Sequence, residues 1–336
     1  RGGKKMKKFL LILIAIIFSI SVSISVEAKS YKLRYGHPNA PKSVSGVQAN
    51  MLADLVAKKT NGAVEIQVFP SSQLGTLQEM TEQVQSGVIA LSHNTMAAFG
   101  SLYEPLSALD TPYLYRDVDH LMKVVDTQLS PVMKKLNAGI IKKRGVRILY
   151  AYYFGTRHLT CDRAIRKPAD LNKIKIRAIP FPIYMTAVEG LGAVATPVDW
   201  SEVPTALATG IVNGQENPVD VIYQHKLYDL QSHMMLTGHI MAASSVVINE
   251  KVWQNFSPEI QKQIMDAVQE VSKKATQTTL DREADNLAKI KKAGMTVVGP
   301  NEGLKVELFR KRTQELAADR FGQKYGDLYS EIKAIK

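Results

Sequence analysis

The sequence predicts an α/β protein with two lobes and one long helix that extends along both. Strand-like and helix-like segments alternate in a βαβ rhythm, which occurs once before about Tyr153 and again after it. A single helical pattern of about 35 residues then begins at Pro258, and at 1.5 Å per residue it would span about 50 Å. Because that length exceeds the width of one lobe, the helix is expected to contact both.

The N-terminal segment, residues 1–28, has the pattern of a secretory signal peptide. Lysines surround Met6, an apolar run covers residues 9–24, and Val26-Glu27-Ala28 places small residues where signal peptidase cleaves. Residues 1–5 precede the expected start and form an upstream extension. An apolar run of this length also resembles a membrane anchor, but the serines in its second half favour cleavage.

Cysteine usage and charge limit the cellular compartments in which the protein could function and the partners that it could bind. Cys161 is the only cysteine, so no intramolecular disulfide can form, and no cysteine follows the apolar run to carry a lipid anchor. The chain has 43 basic and 31 acidic residues, but its lysines are scattered and not interleaved with aromatic residues. We therefore expect a freely diffusing protein of the periplasm that binds no nucleic acid.

The first half of the mature chain has the βαβαβ order of a parallel sheet covered by helices. In order, the periodicity predicts a strand at Tyr31–Tyr35, a helix at Val44–Lys59, a strand at Val64–Phe69, a helix containing Met80 and Val84, and a strand at Ile89–Ser92. A loop-rich stretch and two helical segments ending at Arg144 follow.

The second half repeats this alternation and then ends in helices. The pattern predicts a strand at Val146–Tyr153, a turn at Phe154–Arg157, a strand from Ile174, a helix, a strand near Ala193, a helix opened by Ser201, a strand near Ile211 and a strand at Ser245–Asn249. Ser257-Pro258-Glu259 is a helix start signal and Gly294 a stop signal, so the long helix is bounded by them. A bend is expected near Thr276–Thr279, and two helices are expected to complete the chain.

No set of residues in the sequence has the spacing of an enzyme, a cofactor site or a metal site. Gly190–Ala195 matches the G-x-G-x-x-A dinucleotide fingerprint, but it follows a helix and leads into a strand, which is the reverse of the order that binds a pyrophosphate. Cys161 lies near His158 without a third orienting group, and the histidines lack metal-ligand spacing. We expect no cofactor and no catalysis.

Two arginines near strand ends indicate an anion site. Arg157 and Arg177 both fall where parallel strands of an α/β sheet would end, which is where ligands bind in such sheets. A guanidinium offers paired N–H donors that match a carboxylate. Taken alone, each arginine could equally form a structural ion pair, and Trp200 and Asn217 could be core and turn residues.

At these residues the chain resembles the solute-binding proteins of tripartite ATP-independent periplasmic (TRAP) transporters, of the DctP type. The motifs that carry the resemblance are Pro70-Ser-Ser-Gln-Leu-Gly75, Gly155-Thr-Arg157, Pro168-Ala-Asp-Leu171, Ile174-Lys-Ile-Arg177, Thr196-Pro-Val-Asp-Trp-Ser-Glu-Val203 and Asn213-Gly-Gln-Glu-Asn-Pro218. With the long helix after Pro258 they extend over essentially the whole mature chain.

The resemblance implies a periplasmic-binding-protein fold with a ligand cleft, and a role for several residues. Arg177 would form a bidentate salt bridge with a substrate carboxylate, Arg157 would be a second basic contact, Asn217 an amide contact and Trp200 an aromatic wall. The first lobe would contribute residues after Gly36 (His37, Pro38, Asn39) and around Asn94-Thr95. Family members that bind nine-carbon sugar acids carry Asn, Glu and Asn where this chain has Pro38, Thr95 and Pro180, which argues against that ligand.

The resulting prediction is a receptor that captures a small organic acid and delivers it to a TRAP membrane permease. The acid could be a C4-dicarboxylate or a 2-oxo acid, or alternatively a sugar acid such as a uronate or aldonate. An exported hydrolase or lyase is the alternative from another class. We expect residues 29–153 with about 243–280 to form lobe I, and residues 154–242 with about 281–336 to form lobe II.

Overall fold

A computed structural model describes residues 30–336, so the signal peptide predicted for residues 1–28 lies outside the described residues. The strands are β1 (Tyr31–Gly36), β2 (Val64–Phe69), β3 (Leu91–Thr95), β4 (Val146–Cys161), β5 (Lys175–Ala178), β6 (Val194–Pro197), β7 (Gly214–Pro218), β8 (His233–Asn249) and β9 (Thr296–Val298). The helices are α1 (Val44–Lys59), α2 (Leu77–Ser86), α3 (Met96–Gly100), α4 (Val118–Val125), α5 (Pro131–Arg144), α6 (Pro182–Leu191), α7 (Val203–Ala208), α8 (Val219–Gln224), α9 (Glu250–Gln254), α10 (Pro258–Lys292) and α11 (Val306–Ala334).

One continuous sheet passes through both lobes. Its strand order is β2-β1-β3-β8-β4-β7-β5-β6, with β9 paired to β8. The outer strands are parallel within each lobe, as predicted. In contrast, β4 and β8 are antiparallel to each other, β4 is antiparallel to its other neighbour β7, and β8 is antiparallel to its other neighbour β3. The β4–β8 ribbon therefore joins two parallel half-sheets into a mixed sheet.

The ribbon strands are longer than the sequence pattern predicts. Phe154–Arg157, expected to be a turn, lies within β4, and Ser245–Asn249 is only the last part of β8. The register of β4 shifts at Tyr153/Gly155 and again at Arg157/Leu159, so bulges bend this strand without ending it. Gly155 has φ +123° and its added Cβ would lie 2.7 Å from the Pro218 Cβ, so the bulge requires glycine.

Strand β7 pairs with β4 only from Arg157 onward, so the edge of β4 before Arg157 has no neighbouring strand on that side. Side-chain hydroxyl groups bind this open edge. The carbonyl oxygens of Leu149, Ala151 and Tyr153 accept hydrogen bonds from the hydroxyls of Thr127, Ser272 and Thr279 respectively, at 3.0, 2.7 and 2.8 Å. The serine and threonine hydroxyls of α10 therefore satisfy backbone groups of β4.

The long helix is confirmed at the predicted bounds. Ser257 caps its first turn, and the helix α10 ends at Lys292. Its first half packs in the apolar core of the first lobe through Val268 and Val271, whereas Ile290 packs in a cluster of the second lobe. One helix thus contacts both lobes.

The C-terminal segment is a single helix rather than the two that the sequence pattern predicts. Helix α11 packs Phe309 in the core of the second lobe, and Leu328 and Ile332 in the core of the first. We therefore keep the lobe boundaries as a proposal, with α11 as a second element that contacts both lobes.

The two lobes are closed on each other. An apolar cluster combines Ala97 and Ala98 of α3 with Ile183 and Tyr184 of α6. Polar contacts also cross the cleft: the backbone N–H of Val44 donates to Asp220 Oδ2 at 2.9 Å. Within residues 30–336, we find no helix with the length and apolar character that crossing a membrane requires.

Candidate functional site: a closed cavity with two buried arginines

The cavity lies between the lobes, where the carboxyl end of β3 faces the carboxyl ends of β5 and β7. Its empty volume is about 460 Å³. This space suits a small molecule. Its polar lining residues are Asn39, His93, Asn94, Thr95, Arg157, Arg177, Asn217 and Ser244.

Arg177 reaches the cavity from β5 with part of its guanidinium unbonded. The side chain is 1% exposed, and its Nε donates to the carbonyl oxygen of Val198 at 2.9 Å. Its Nη2 is buried without a hydrogen-bond partner. Burial, opposed by Glu216 and reinforced by Arg157, lowers the pKa of Arg177 to about 10, so the group is charged at neutral pH. An unpaired buried cation of this kind is costly unless an anion binds it.

Arg157 has a different environment, because a protein carboxylate already binds it. Its Nε and Nη2 donate to the two carboxylate oxygens of Glu216 at 2.5 and 2.7 Å, and Nη2 also donates to the Glu216 carbonyl at 2.7 Å. Both side chains are buried. Burial alone would raise the pKa of Glu216, but Arg157 and His239 outweigh it and lower that pKa to about 2. The pair contributes almost no net charge to the cavity.

His239 completes this buried group. Its Nε2 lies 3.0 Å from Glu216 Oε2 and its Nδ1 lies 2.8 Å from the Thr237 hydroxyl oxygen. Because a carboxylate can only accept, the Nε2–H of His239 donates to Glu216.

Trp200 and Asn217, both predicted contacts, form the second-lobe wall around Arg177. The guanidinium of Arg177 lies 5.7 Å from the Trp200 ring centroid, in cation–π geometry. The indole in turn meets the His225 ring edge-on at 4.7 Å. The amide nitrogen of Asn217 donates to Gln215 Oε1 at 2.6 Å, which leaves the Asn217 amide oxygen unbonded in the described chain.

On the first-lobe side, the structure places His93 at the cavity and His37 behind it. His37 is fully buried, does not line the cavity, and stacks on the His93 ring at 4.6 Å between centroids. Burial lowers the pKa of His37 to about 4 and holds the pKa of His93 well below its usual range, so both rings are neutral. We therefore propose that His93, and not His37 as predicted, contacts the ligand directly.

A chain of buried hydrogen bonds orients His93 and, through it, Asn39. Gln48 Nε2, which can only donate, lies 3.1 Å from His93 Nδ1, so the His93 proton is on Nε2, which donates to Asn39 Oδ1 at 3.0 Å. His93 Nδ1 then accepts from the Tyr35 hydroxyl at 2.8 Å, and Gln48 Nε2 donates to that hydroxyl at 3.0 Å. The hydroxyl of Tyr150 donates to Gln48 Oε1 at 2.5 Å. The Asn39 oxygen is thus fixed toward His93.

Thr95 and Asn94 lie at the end of β3, where the predicted first-lobe contacts were expected. The Thr95 hydroxyl oxygen accepts the N–H of Ala98 as the N-cap of α3, which leaves its hydroxyl hydrogen available. Asn94 uses both ends of its amide within the protein, with Leu77 and with the Thr95 N–H. Of these two residues, Thr95 has the free donor.

A larger hollow, with an empty volume of about 1280 Å³, lies outside the cleft, between α4 and α10. It is lined by Lys123 and Lys273, but neither lysine is buried, and none of the described polar atoms that are buried without a partner lies in it. The smaller cavity is the candidate site, because it alone of the two contains a buried cation without a partner.

The other sequence motifs take structural roles. Gly192, with φ +108°, ends α6, so Gly190–Ala195 is a helix end and turn as predicted. Cys161 is buried at the end of β4, and burial raises the pKa of its thiol. Among residues 30–336, no group of acidic, histidine or cysteine side chains is arranged to hold a metal ion.

Two residues of this site were not identified from sequence. Glu216 lies in the Asn213–Pro218 motif beside Asn217, in the polar but buried strand β7, so the sequence carried no local signal for a buried ion pair. His93 lies just beyond the strand predicted at Ile89–Ser92, but β3 extends to Thr95. Extending that strand would have placed His93 inside it, beside the expected contacts.

Two lobes that close on a small basic cavity define the class of periplasmic solute-binding proteins. Comparison with known families narrows this class. The model of the DctP family, bacterial extracellular solute-binding protein family 7, matches residues 35–323. The chain belongs to this family, and it is a TRAP transporter solute-binding protein, as its motifs predicted.

Individual relatives agree with this assignment. The chain is 30% identical over 267 residues to the 2,3-diketo-L-gulonate-binding periplasmic protein of Escherichia coli (79% of this chain, 80% of the relative). It is 31% identical over 284 residues to the sialic acid-binding periplasmic protein of Vibrio cholerae (84% and 86%). A TRAP solute-binding protein from Polaromonas sp. JS666, solved with D-erythronate, has 31% identity and a TM-score of 0.85, covering 91% of this chain and 99% of that one.

Proposed function

We propose that this protein captures a small organic acid in the periplasm and delivers it to a TRAP membrane permease. The observation that carries the proposal is the buried, unpartnered Nη2 of Arg177 at the wall of a closed cavity. A carboxylate beside Arg177 would supply the missing acceptor and the missing charge. Because water is excluded there, the charge-assisted bond would be strong.

The lobes supply the receptor's second property, closure on the ligand. Residues of both lobes line the cavity, so a bound acid contacts both lobes only when they are shut. Binding then favours the closed form by the difference in contacts between the two forms. A permease that recognises the closed form would thereby distinguish loaded from empty receptor.

The relatives support an acidic ligand without fixing which one. Their names and structures include a diketogulonate, a sialic acid and an erythronate, all of which are carboxylates. We propose that Arg177 binds the carboxylate, with Trp200, Asn217, Arg157 and Thr95 around the ligand.

The proposal also includes the protein's compartment and the functions that it is not expected to have. We infer a signal peptide over residues 1–28, a freely diffusing periplasmic protein, no nucleic-acid partner and no catalytic activity. These inferences are supported by the leader pattern, the scattered lysines, and a family of periplasmic binding proteins.

A thermal-shift screen with two matched arginine variants tests the proposal. Wild-type protein is measured against a panel of carboxylates, and an acid at about 100 times its Kd should add about 2.7 kcal/mol of stability. Arg177→Lys keeps the charge but loses the planar fork, so we expect it to lose most of this stabilisation. Arg147→Lys is the control, because Arg147 makes the same forked contact to Glu250 far from the cavity.

The two variants separate the possible outcomes. If Arg177→Lys loses the response and Arg147→Lys keeps it, the role of Arg177 is supported. If no carboxylate stabilises the wild type, or if Arg177→Lys responds like the wild type, the proposal is refuted.

A further inference from the structure

We infer that the ligand is a singly charged, hydroxylated acid rather than a dicarboxylate, and that Asn39 donates a hydrogen bond to its hydroxylated end. This inference rests on the proposed function, because it takes Arg177 as the carboxylate site. It follows from the charges at the cavity and from the free donors on the first-lobe wall.

The cavity offers one uncompensated positive charge. Arg157 and Arg177 are the only cationic residues that line it, and no acidic residue of the described chain does. Glu216 neutralises Arg157 through both carboxylate oxygens, which leaves Arg177 alone.

Other charged groups nearby only reduce the positive potential. Asp199 and Asp110 lie near the arginines without lining the cavity. Burial raises the pKa of Asp110 to about 7, so it contributes part of a negative charge at neutral pH. A second carboxylate would therefore enter a closed space with no counter-ion, and a buried unpaired charge costs several kcal/mol.

The wall opposite Arg177 is neutral and polar. It includes Asn39, His93, Thr95 and Ser244, all from the first lobe. Neutral donors satisfy hydroxyl oxygens without requiring a charge on the ligand. This arrangement fits a ligand with a carboxylate at one end and hydroxyl groups at the other.

Asn39 is the donor that the fold orients most strictly. Its Oδ1 is held by His93, whose tautomer is set by Tyr35 and Gln48 behind it. The Asn39 amide nitrogen makes no hydrogen bond within the described chain, and Asn39 lines the cavity. The buried relay therefore presents an N–H donor, and not a carbonyl acceptor, to the ligand.

The test varies charge and hydroxylation separately in acids of equal length. Binding is measured by calorimetry for butyrate, erythronate, succinate and tartrate, and again for hexanoate, gluconate, adipate and glucarate. We expect erythronate or gluconate to bind at least about tenfold more tightly than the dicarboxylate and the alkanoate of the same length, because each of those lacks either the single charge or the hydroxyls.

Two variants identify the groups responsible. Asn39→Leu removes the donor at similar volume, and we expect it to weaken the hydroxylated acid about tenfold while leaving the alkanoate of the same length unchanged. Glu216→Gln adds an uncompensated cation at Arg157, so we expect it to improve binding of tartrate or glucarate relative to the monoanion. Melting temperatures of the unliganded variants establish that each is folded.

Each outcome of these measurements tests a different part of the inference. A dicarboxylate that binds as tightly as the hydroxylated monoanion overturns the charge argument but leaves the receptor function intact. An alkanoate that binds as tightly overturns the role of the hydroxyl groups, and equal losses for both acids in Asn39→Leu overturn the role of Asn39. If none of the eight acids binds, the proposed function itself fails.

Discussion

Replacing Glu216 by glutamine should destabilise the protein strongly, because it breaks a fully buried ion pair. Glu216 accepts from Arg157 at 2.5 and 2.7 Å and lies 3.0 Å from His239, and both members of the pair are at most 1% exposed. Removing one partner of such a pair leaves a buried charge uncompensated, at a cost of about 3–5 kcal/mol. For a protein of this size we expect the Tm to fall by on the order of 10 °C.

Glu250→Gln is the matched control for this prediction. Glu250 forms the same two-bond fork with Arg147, at 2.7 Å for each bond, but these side chains are 15% and 26% exposed. Partial solvation should keep its cost near or below about 1 kcal/mol.

Chemical denaturation and thermal melting of both variants measure the difference between the two pairs. The pKa of Glu216 is depressed, so its contribution is present above its ordinary pKa and is lost as the pH falls toward about 2. The gap between wild type and Glu216→Gln should therefore be constant from pH 8 to about pH 5 and narrow only below that range. Equal losses in Glu216→Gln and Glu250→Gln would refute the argument from burial.

Two further substitutions test the contact across the cleft and the ionisation of buried Asp110. Asp220→Asn weakens the charged acceptor that binds the first N–H of α1 across the cleft at 2.9 Å. We expect the ligand Kd, measured by calorimetry, to rise about fivefold in this variant. An unchanged Kd, equal to that of the exposed control Asp229→Asn, would contradict this prediction. Asp110→Asn should stabilise the protein at high pH, because burial raises the pKa of Asp110 to about 7. A raised pKa means that stability is lost as the pH rises from the ordinary value through the folded value, so the advantage of the variant should grow by about 1.4 kcal/mol per unit up to about pH 7 and then level off. A constant difference between wild type and Asp110→Asn across that range would refute the assignment.

Features encoded locally were predictable from the sequence. The bounds of α10 follow from Ser257, Pro258 and the helical period, and the false dinucleotide motif was recognised because its order of elements is reversed. The motif resemblance indicated the family, and the expected site residues were taken from it.

Features that depend on distant contacts were not predictable. The bulges in β4 interrupt its alternation, so the pattern suggested a turn at Phe154–Arg157 where the strand continues. The partner of Arg157 lies 59 residues away in sequence, and nothing local selects Glu216 from the other acidic residues. The choice between His37 and His93 likewise depends on which ring the sheet turns toward the cavity, which only the packed structure determines.

The central claim is that Arg177 holds the ligand's carboxylate. A crystal structure of the mature protein with the tightest-binding acid of the eight-acid panel tests it directly. We predict both carboxylate oxygens within about 2.7–3.0 Å of guanidinium nitrogens of Arg177, with the hydroxylated end toward Asn39. A carboxylate bound on the first-lobe wall, or a complex in which Arg177 Nη2 remains without an acceptor, would contradict the claim.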